Sequence, residues 1–225
     1  MISSRLEPMT VRKEQDALIL SFPRPVPVLS WAVLNGGFCH ARHIVNHHVE
    51  GNDVSFAADP EGWLRRQVQR LQLEGKTVVM ATGVNMTALT QIPLSGGGSE
   101  VICFTTVGLS NALSVGDPAS FQAGHVLSPH TINMILLVHP RLRPEGMVEA
   151  VELATEGRVR ALYENGIQSC RSSLPATGTG TDCIAIVSPG SGAERYCGKH
   201  TKLGELIGRA AYMSVTKGLA LSRNK

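Results

Sequence analysis

Residues 176–182 read ATGTGTD, and the chain then turns apolar as CIAIV. Glycine lets a backbone turn sharply and bring its N–H groups close to a ligand. Threonine hydroxyls donate and accept, and one placed beside a base becomes a nucleophile. Thr177, Gly178, Thr179, Gly180 and Thr181 are therefore candidates to hold a polar group or a water, and Asp182 a candidate base or orienting carboxylate. A structural turn, with threonine and aspartate satisfying backbone groups, accounts for the same residues. No Gly-Lys-Ser/Thr follows, so the run is not a P-loop and does not signal a nucleotide.

A second candidate is CGKHTKLGELIGRA, residues 197–210. Its spacing predicts a helix beginning near Thr201 or Leu203, which gathers Lys199, His200 and Lys202 at a helix N-terminus. Free N–H groups and a positive partial charge favour anions there. The dipole asks for acids at that end, not lysines, so the cluster suits a ligand's amide oxygen, carboxylate or phosphate. By residue type His200 is the best general acid or base, and Lys199 is suited to an oxyanion. Thr201 reads equally well as a helix cap.

Softer signals surround these two. LNGGF places Asn35, Gly36 and Gly37 at a strand end, as an oxyanion hole, as the floor under a large ligand, or as a hairpin turn. TTVGLSNAL has the same character and carries Asn111. In ATEGRVRAL, Glu156 and Arg160 form an i, i+4 pair that serves either a site or a surface salt bridge. His40, His43, His47 and His48 lack a carboxylate or a further ligand at recognisable spacing, and H-E-x-x-H is absent, so no metal is expected.

The elements that must position these groups follow from periodicity and breakers. A short strand is expected at Ala17–Phe22, broken by PRPVP, and a second at Val28–Leu34 that runs into Gly36-Gly37. HIVNHHV alternates as a partner strand. DPEGWLRRQVQRLQLEG has helical spacing, with Asp59 as cap, Pro60 in the first turn and Gly75 at the end. KTVVMATG, EVICFTTVG, HTINMILLVHP and CIAIVSP read as strands, the third buried on both faces. Gly116 to Pro129 reads as a loop. The strongest helix is RPEGMVEAVELATEGRVRALYENG, closed by Gly166, with an expected apolar stripe of Val148, Val151, Thr155, Val159 and Leu162. The last helix runs to about Leu221 on Leu203, Leu206, Ile207, Ala210, Val215 and Leu219. Interleaved strands and helices, with the first strands unbroken by a helix, predict an α/β or α+β fold: one layered domain over 1–225 with a mixed, largely buried sheet flanked by helices.

Bulk properties narrow the function. The chain has 225 residues, 43% hydrophobic and 17% charged, which suits a globular protein able to bury a core without staples. The net charge is only +3, the basic residues are scattered and aromatics make up 4%, which argues against nucleic acid. Five cysteines, an odd number without a C-x-x-C pair, fit a reducing, cytoplasmic compartment better than a disulfide framework. The N-terminal MISSRLEPMTVRKEQD lacks the apolar run of a signal peptide, and no run is long enough to span a membrane.

Taken in order, SWAVLNGGF, TTVGLSNAL, HTINMILLV with EAVELATEGRVRAL, ATGTGTD and GKHTKLGELIG resemble the adenosylcobinamide amidohydrolase family of corrinoid salvage. The resemblance covers roughly residues 28 to 215. It implies hydrolysis of the amide that carries the aminopropanol arm of adenosylcobinamide, giving adenosylcobyric acid and aminopropanol for cobamide synthesis. Asn111 stands where a small hydroxyl residue or alanine is usual in the family. Amide hydrolysis needs a nucleophile, oxyanion stabilisation and a proton for the leaving amine. The expected assignment is Asp182 as base or orienting group, His200 for proton transfer, and Lys199 or backbone N–H groups for the oxyanion. Thr177, Thr179 and Thr181 would hold the amide or a water, with direct water attack ranked above a threonine nucleophile. The remaining expected contacts are Asn35, Gly36, Gly37, Asn111, Glu156, Gly178, Gly180 and Thr201. Asp-x-His-x-x-Gly is absent, so the corrinoid is expected as substrate and no cofactor is implied. Oligomeric state is left open. The competing readings are a corrinoid-binding protein without hydrolysis and an anion- or nucleotide-binding module built on the Lys199–His200 helix start.

Overall fold

The computed structural model describes residues 9–119 and 130–223. Strands β1 (Thr10–Lys13), β2 (Ala17–Ser30) and β3 (Gly37–His48) follow one another without an intervening helix. The break expected at PRPVP is instead a bulge. β2 runs on through the prolines, and its register against β3 shifts between Ser21 and Val26. Proline is tolerated where the ladder is already interrupted. The strand expected to reach Leu34 ends at Ser30, and Leu34 instead pairs singly with Val79.

Helices α1 (Val54–Ala58) and α2 (Pro60–Arg70) come next, and Asp59 caps the latter through the N–H of Gly62. α2 stops at Arg70, short of Gly75, because Gln72 already takes a positive φ of 54°. β4 (Thr77–Thr82) leads to β5 (Thr90–Gly96), a strand the sequence does not announce because Pro93 interrupts its pattern. β6 (Ser99–Val107), β7 (Ala112–Leu113) and β8 (Ile132–His139) follow. The loop expected over Gly116–Pro129 falls, from residue 120 on, outside the described residues. The chain closes with α3 (Pro144–Glu164), β9 (Gly178–Thr179), β10 (Cys183–Val187) and α4 (Lys202–Arg223).

Eight strands form one mixed sheet in the order β4-β3-β2-β10-β8-β6-β5, with β1 on β2; β7 and β9 pair separately. The β3–β4 and β8–β10 pairs are parallel and the rest antiparallel. The sheet curls until one face packs on itself. Leu18, Leu20, Ile44 and Met80 from one half meet Phe104, Ile135, Leu137 and Ala185 from the other. The opposite face is covered in two places. α3 and α4 lie over β6, β8 and β10 through Met147, Ala150, Ala161, Leu206, Ile207 and Ala210, and α2 places Leu64 against Ile19, Val45 and Val79. The mixed, buried sheet flanked by helices is the expected α/β architecture.

The stripe that buries α3 differs from the expected one. Met147, Ala150, Leu153, Ala154, Gly157, Arg158, Ala161 and Leu162 face inward, while Val148 is 62% exposed. Small residues carry little hydrophobic signal but allow close approach. A Cβ on Gly157 would lie 2.7 Å from the carbonyl oxygen of Gly208 and 2.9 Å from the Cβ of Ala211, so α3 and α4 touch there through backbone.

Candidate active site

Asp182 sits one residue before β10, at the end of the sheet where β8 also begins. Its Oδ1 accepts from the N–H of Ile132 at 3.0 Å and from the Thr179 hydroxyl. Its Oδ2 accepts from the N–H of Thr179 at 2.8 Å and pairs with Nη1 of Arg158 at 3.0 Å. The two charged side chains are only 8% and 11% exposed. A carboxylate has about four acceptor positions, so these four donors saturate Asp182. Arg158 also reaches the carbonyl of Thr177 through Nε at 3.3 Å, which ties both ends of the turn to α3. The fold requires glycine at 178, where a Cβ would come within 2.2 Å of Oδ2 of Asp182.

Three other segments meet this corner. From TTVGLSNAL, the carbonyl of Asn111 accepts from the N–H of Gly180 at 3.3 Å, and Ala112 pairs with Thr179 across β7–β9. From SWAVLNGGF, Nε1 of Trp31 donates to the carbonyl of Asp182 at 2.6 Å, and the Ser30 hydroxyl lies 3.5 Å from Sγ of Cys183. Gly37 is the ladder partner of Ser30 and takes a φ of 92°; with Gly36 it completes the turn. Asn35, at a φ of 59°, spends its side-chain N–H on the carbonyl of Thr77 at 2.7 Å. From the end of β4, the carbonyl of Ala81 accepts from Nδ2 of Asn133 at 2.9 Å. Residues 81–83 and 176–178, both Ala-Thr-Gly, therefore lie near the start of β8.

Hydroxyls and amides dominate the lining. Thr131 and Thr179 place their Oγ1 atoms 3.3 Å apart, and the Thr177 hydroxyl accepts from the N–H of Val115 at 2.9 Å. Oδ1 of Asn111 and Oγ1 of Thr181 are buried without a hydrogen-bond partner among the described residues. Behind them, Nδ2 of Asn133 donates to Oδ1 of Asn46 at 2.8 Å, and Nδ2 of Asn46 donates to Thr106 at 3.0 Å. Burial pushes the Cys183 thiol up to about 11, so it is no nucleophile at neutral pH.

The helix-tip candidates form a different cluster. Nζ of Lys199 pairs with Glu156 at 2.7 Å, and that carboxylate raises the lysine's pKa. Thr201 caps α4: its hydroxyl accepts from the N–H of Gly204 at 2.9 Å and donates to the carbonyl of Gly198 at 2.8 Å. His200 is exposed. Glu156 and Lys199 line a cleft of about 350 Å³ between α3 and α4, with Arg160, Glu205, Arg209 and Tyr212.

Two observations separate this cluster from the Asp182 corner. Glu156 and Arg158 are two residues apart on α3, which turns their side chains roughly 200° apart about its axis. Lys199 therefore meets one side of α3 and Asp182 the other. Thr201 and Lys202 border Pro140 beyond the far end of β8, whereas Asp182 binds Ile132 at its start. Eight strand residues span roughly 26 Å. The structure thus gathers Asn111, Thr177, Gly178, Thr179, Gly180, Thr181 and Asp182, with Gly36 and Gly37 joined to them through Ser30, while Asn35 turns its amide to β4. It sets Glu156, Lys199, His200 and Thr201 apart, so the expected convergence of Asp182 and His200 on one carbonyl does not occur.

Sequence reasoning passed over Arg158, Trp31, Thr131 and Asn133. Arg158 carried a readable signal. It lies four residues after Ala154 and three before Ala161, a charge on the inward face of a helix, where only a buried partner would be stable. Among the described residues, no three of His, Cys, Asp and Glu are grouped to hold a metal ion.

The sequence profile of adenosylcobinamide amidohydrolase matches residues 2–225. An uncharacterized protein of Methanocaldococcus jannaschii is 28% identical over 225 residues, covering 92% of this chain and 87% of that one. The adenosylcobinamide amidohydrolase of Methanosarcina mazei is 27% identical over 191 residues, covering 84% and 88%. Among solved structures, a protein of Pyrococcus horikoshii gives a TM-score of 0.48 at 11% identity, over 98% of this chain and 82% of its own. Every segment that builds the corner and the helix tip lies inside the profile match, and the chain belongs to the adenosylcobinamide amidohydrolase family, as a hydrolase of amide bonds.

Proposed function

We propose that this chain cleaves the aminopropanol amide of adenosylcobinamide, releasing adenosylcobyric acid and aminopropanol, and that the reaction takes place at the Thr177–Asp182 corner. The observation that carries the location is the meeting of SWAVLNGGF, TTVGLSNAL and ATGTGTD, far apart in sequence, at one end of the sheet. Membership of the family supports the reaction. The corrinoid is bound as substrate.

The hydrogen bonding supports a distinct role for each residue. Asp182 is saturated, so it orients and does not act as a free base. Because the Thr179 proton is committed to Asp182, the Thr179 oxygen faces its other neighbours as an acceptor. Oδ1 of Asn111 is a further acceptor, and the Thr181 hydroxyl can donate or accept. These groups suit the N–H of the scissile amide and the attacking water. Water adds to the amide carbon, the C–N bond breaks, and the proton that the water gives up leaves on the departing amine. Trp31, Val33 and Phe38 are each about half exposed, at 50%, 47% and 50%, and Val115 is 83% exposed. Trp31 and Val115 touch the corner directly, through Asp182 and Thr177, and offer apolar surface of the kind a large ring with amide-bearing edges would cover.

The test is turnover of adenosylcobinamide, followed by mass spectrometry of the corrinoid product. Thr179→Ala is expected to lower kcat/KM by about 100-fold or more, the usual loss when a positioned hydrogen-bonding group at the reacting centre is removed. Thr179→Ser should retain most of the activity. His200→Ala should stay within about threefold of the parent, as expected for a surface group outside the site. A folded Thr179→Ala enzyme with near-normal turnover, or a His200→Ala enzyme crippled by orders of magnitude, would move the chemistry away from this corner.

A further inference from the structure

A second constellation, away from the threonine corner, has the parts of a nucleophilic centre. Ser21 and His43 face each other across the β2–β3 ladder, with Oγ of Ser21 2.8 Å from Nδ1 of His43. Nε2 of the same ring lies 2.9 Å from the backbone carbonyl of Glu74. A carbonyl can only accept, so Nε2 carries the ring proton and Nδ1 is bare. The Ser21 hydroxyl therefore donates to Nδ1. Nucleophile, base and orienting acceptor stand in hydrogen-bonded sequence, with the carbonyl in the place a carboxylate holds in other triads. Burial, with Arg42 and Arg12 nearby, holds His43 below its ordinary pKa and keeps the ring neutral at pH 7.

The surroundings give this pair access to a ligand. Both side chains line a cleft of about 380 Å³, walled by Met9, Phe22 and Pro23, with Arg42 exposed at its edge. The bulge of β2 begins directly after Ser21, so the ladder beyond it is interrupted where the cleft lies. Arg42 donates to the carbonyl of Phe22 at 3.4 Å, which keeps its guanidinium over the bulge at the cleft that Ser21 also lines. Apolar walls suit a short acyl chain, and a cation at the edge suits developing negative charge.

We propose that Ser21 and His43 form a second nucleophilic centre, which cleaves small carboxylic esters through an acyl-Ser21 intermediate. Ser21 Oγ bonds to the ester carbon while its proton passes to Nδ1 of His43. The C–O bond to the alcohol then breaks, and the departing alkoxide takes that proton. Water attacks the acyl-serine, gives its proton to Nδ1, and releases the acid as the proton returns to Ser21.

The experiment treats the full chain with a fluorophosphonate probe, maps the adduct by peptide mass spectrometry, and measures p-nitrophenyl butyrate hydrolysis alongside. The expected result is an adduct on Ser21, formed with loss of fluoride. It should be absent in Ser21→Ala and slowed by about 100-fold or more in His43→Gln, the scale of a lost general base. Adenosylcobinamide turnover should be unchanged in Ser21→Ala, which shows that the variant is folded and that the two centres are separate. His43 is buried, so Ser21→Cys provides a second reading that leaves the histidine in place: the thiol introduced by that substitution should be alkylated by iodoacetamide faster than Cys170. No adduct on Ser21 in the parent chain, equal labelling in a folded His43→Gln, or a sluggish thiol in Ser21→Cys overturns the proposal.

Discussion

Arg158 and Asp182 are buried charges that neutralise each other and hold the threonine turn against α3. Removing one member of such a pair leaves the other uncompensated, at a cost of about 3–5 kcal/mol. Thr179, which is held by the pair without being part of it, is therefore the position at which the proposed chemistry can be tested without unfolding the chain. Much of this corner was legible: Thr-Gly alternation ending in a carboxylate singled out residues 177–182. The arginine that fixes them was not, because it is donated by a helix whose register the apolar residues misreport. The charge of the lysine–histidine tip suggests a site, but Lys199 is paired with Glu156, Lys202 with Glu205, and Thr201 caps α4. The cysteines give another test at this scale. Burial raises the thiols of Cys39 and Cys103, Cys183 to about 11 and Cys197 to about 12, while Cys170 is exposed. Titration with a disulfide reagent at pH 8 should find one fast thiol per native chain, at Cys170, and all five after denaturation. A second fast thiol in the native chain would contradict the burial of the other four.

Among the elements, α3 does the most positioning. One side of it holds Asp182 and the other Lys199, and its small residues let α4 come close. Its extent was readable from Pro144 at the start and Gly166 after the end, but not its buried face, because alanine and glycine contribute little to a hydrophobic period while valine on the flank contributes much. α4 was readable in both extent and face, since its stripe of Leu203, Leu206, Ile207, Ala210, Val215 and Leu219 is large and regular. The prolines of β2 hid the length of that strand, because sequence alone does not tell a bulge from a break. The close helix contact makes a sharp prediction. Gly157→Ala forces a methyl to within 3 Å of the Gly208 carbonyl and of Ala211, so despite the better helix propensity of alanine it should destabilise the fold by about 1–3 kcal/mol. A urea midpoint equal to the parent's would show that α3 and α4 can part at little cost.

The molecule as a whole is a curled sheet with helices on its outer face, and the mixed α/β class followed from the order of its predicted elements. The curl did not, because it depends on contacts between strands distant in the chain, such as Asn46 with Asn133 and Thr106. Global stability should also carry the signature of two buried histidines. His43 and His47 are held below their ordinary 6.5, chiefly by burial. In the unfolded chain they take up protons as pH falls through 6.5, while in the native chain they resist until lower pH. Their contribution is therefore complete above that value and is lost progressively below it. Asp53, Asp117, Glu164 and Glu205 are lowered from 3.8 or 4.5 and lose their contributions only in more acidic solution. Urea midpoints should fall between pH 7.5 and 5.5, and the fall should shrink in His47→Gln. A flat profile over that range would mean that these rings are hydrated in the native state. The outer rim of β4 has a last consequence. Its carbonyls at Thr77, Val79 and Ala81 are taken by Asn35, Leu34 and Asn133. Those acceptors are closed to a strand arriving from another chain, so the loop after β2 and a single asparagine of β8 together blunt this edge of the sheet against growth by strand addition.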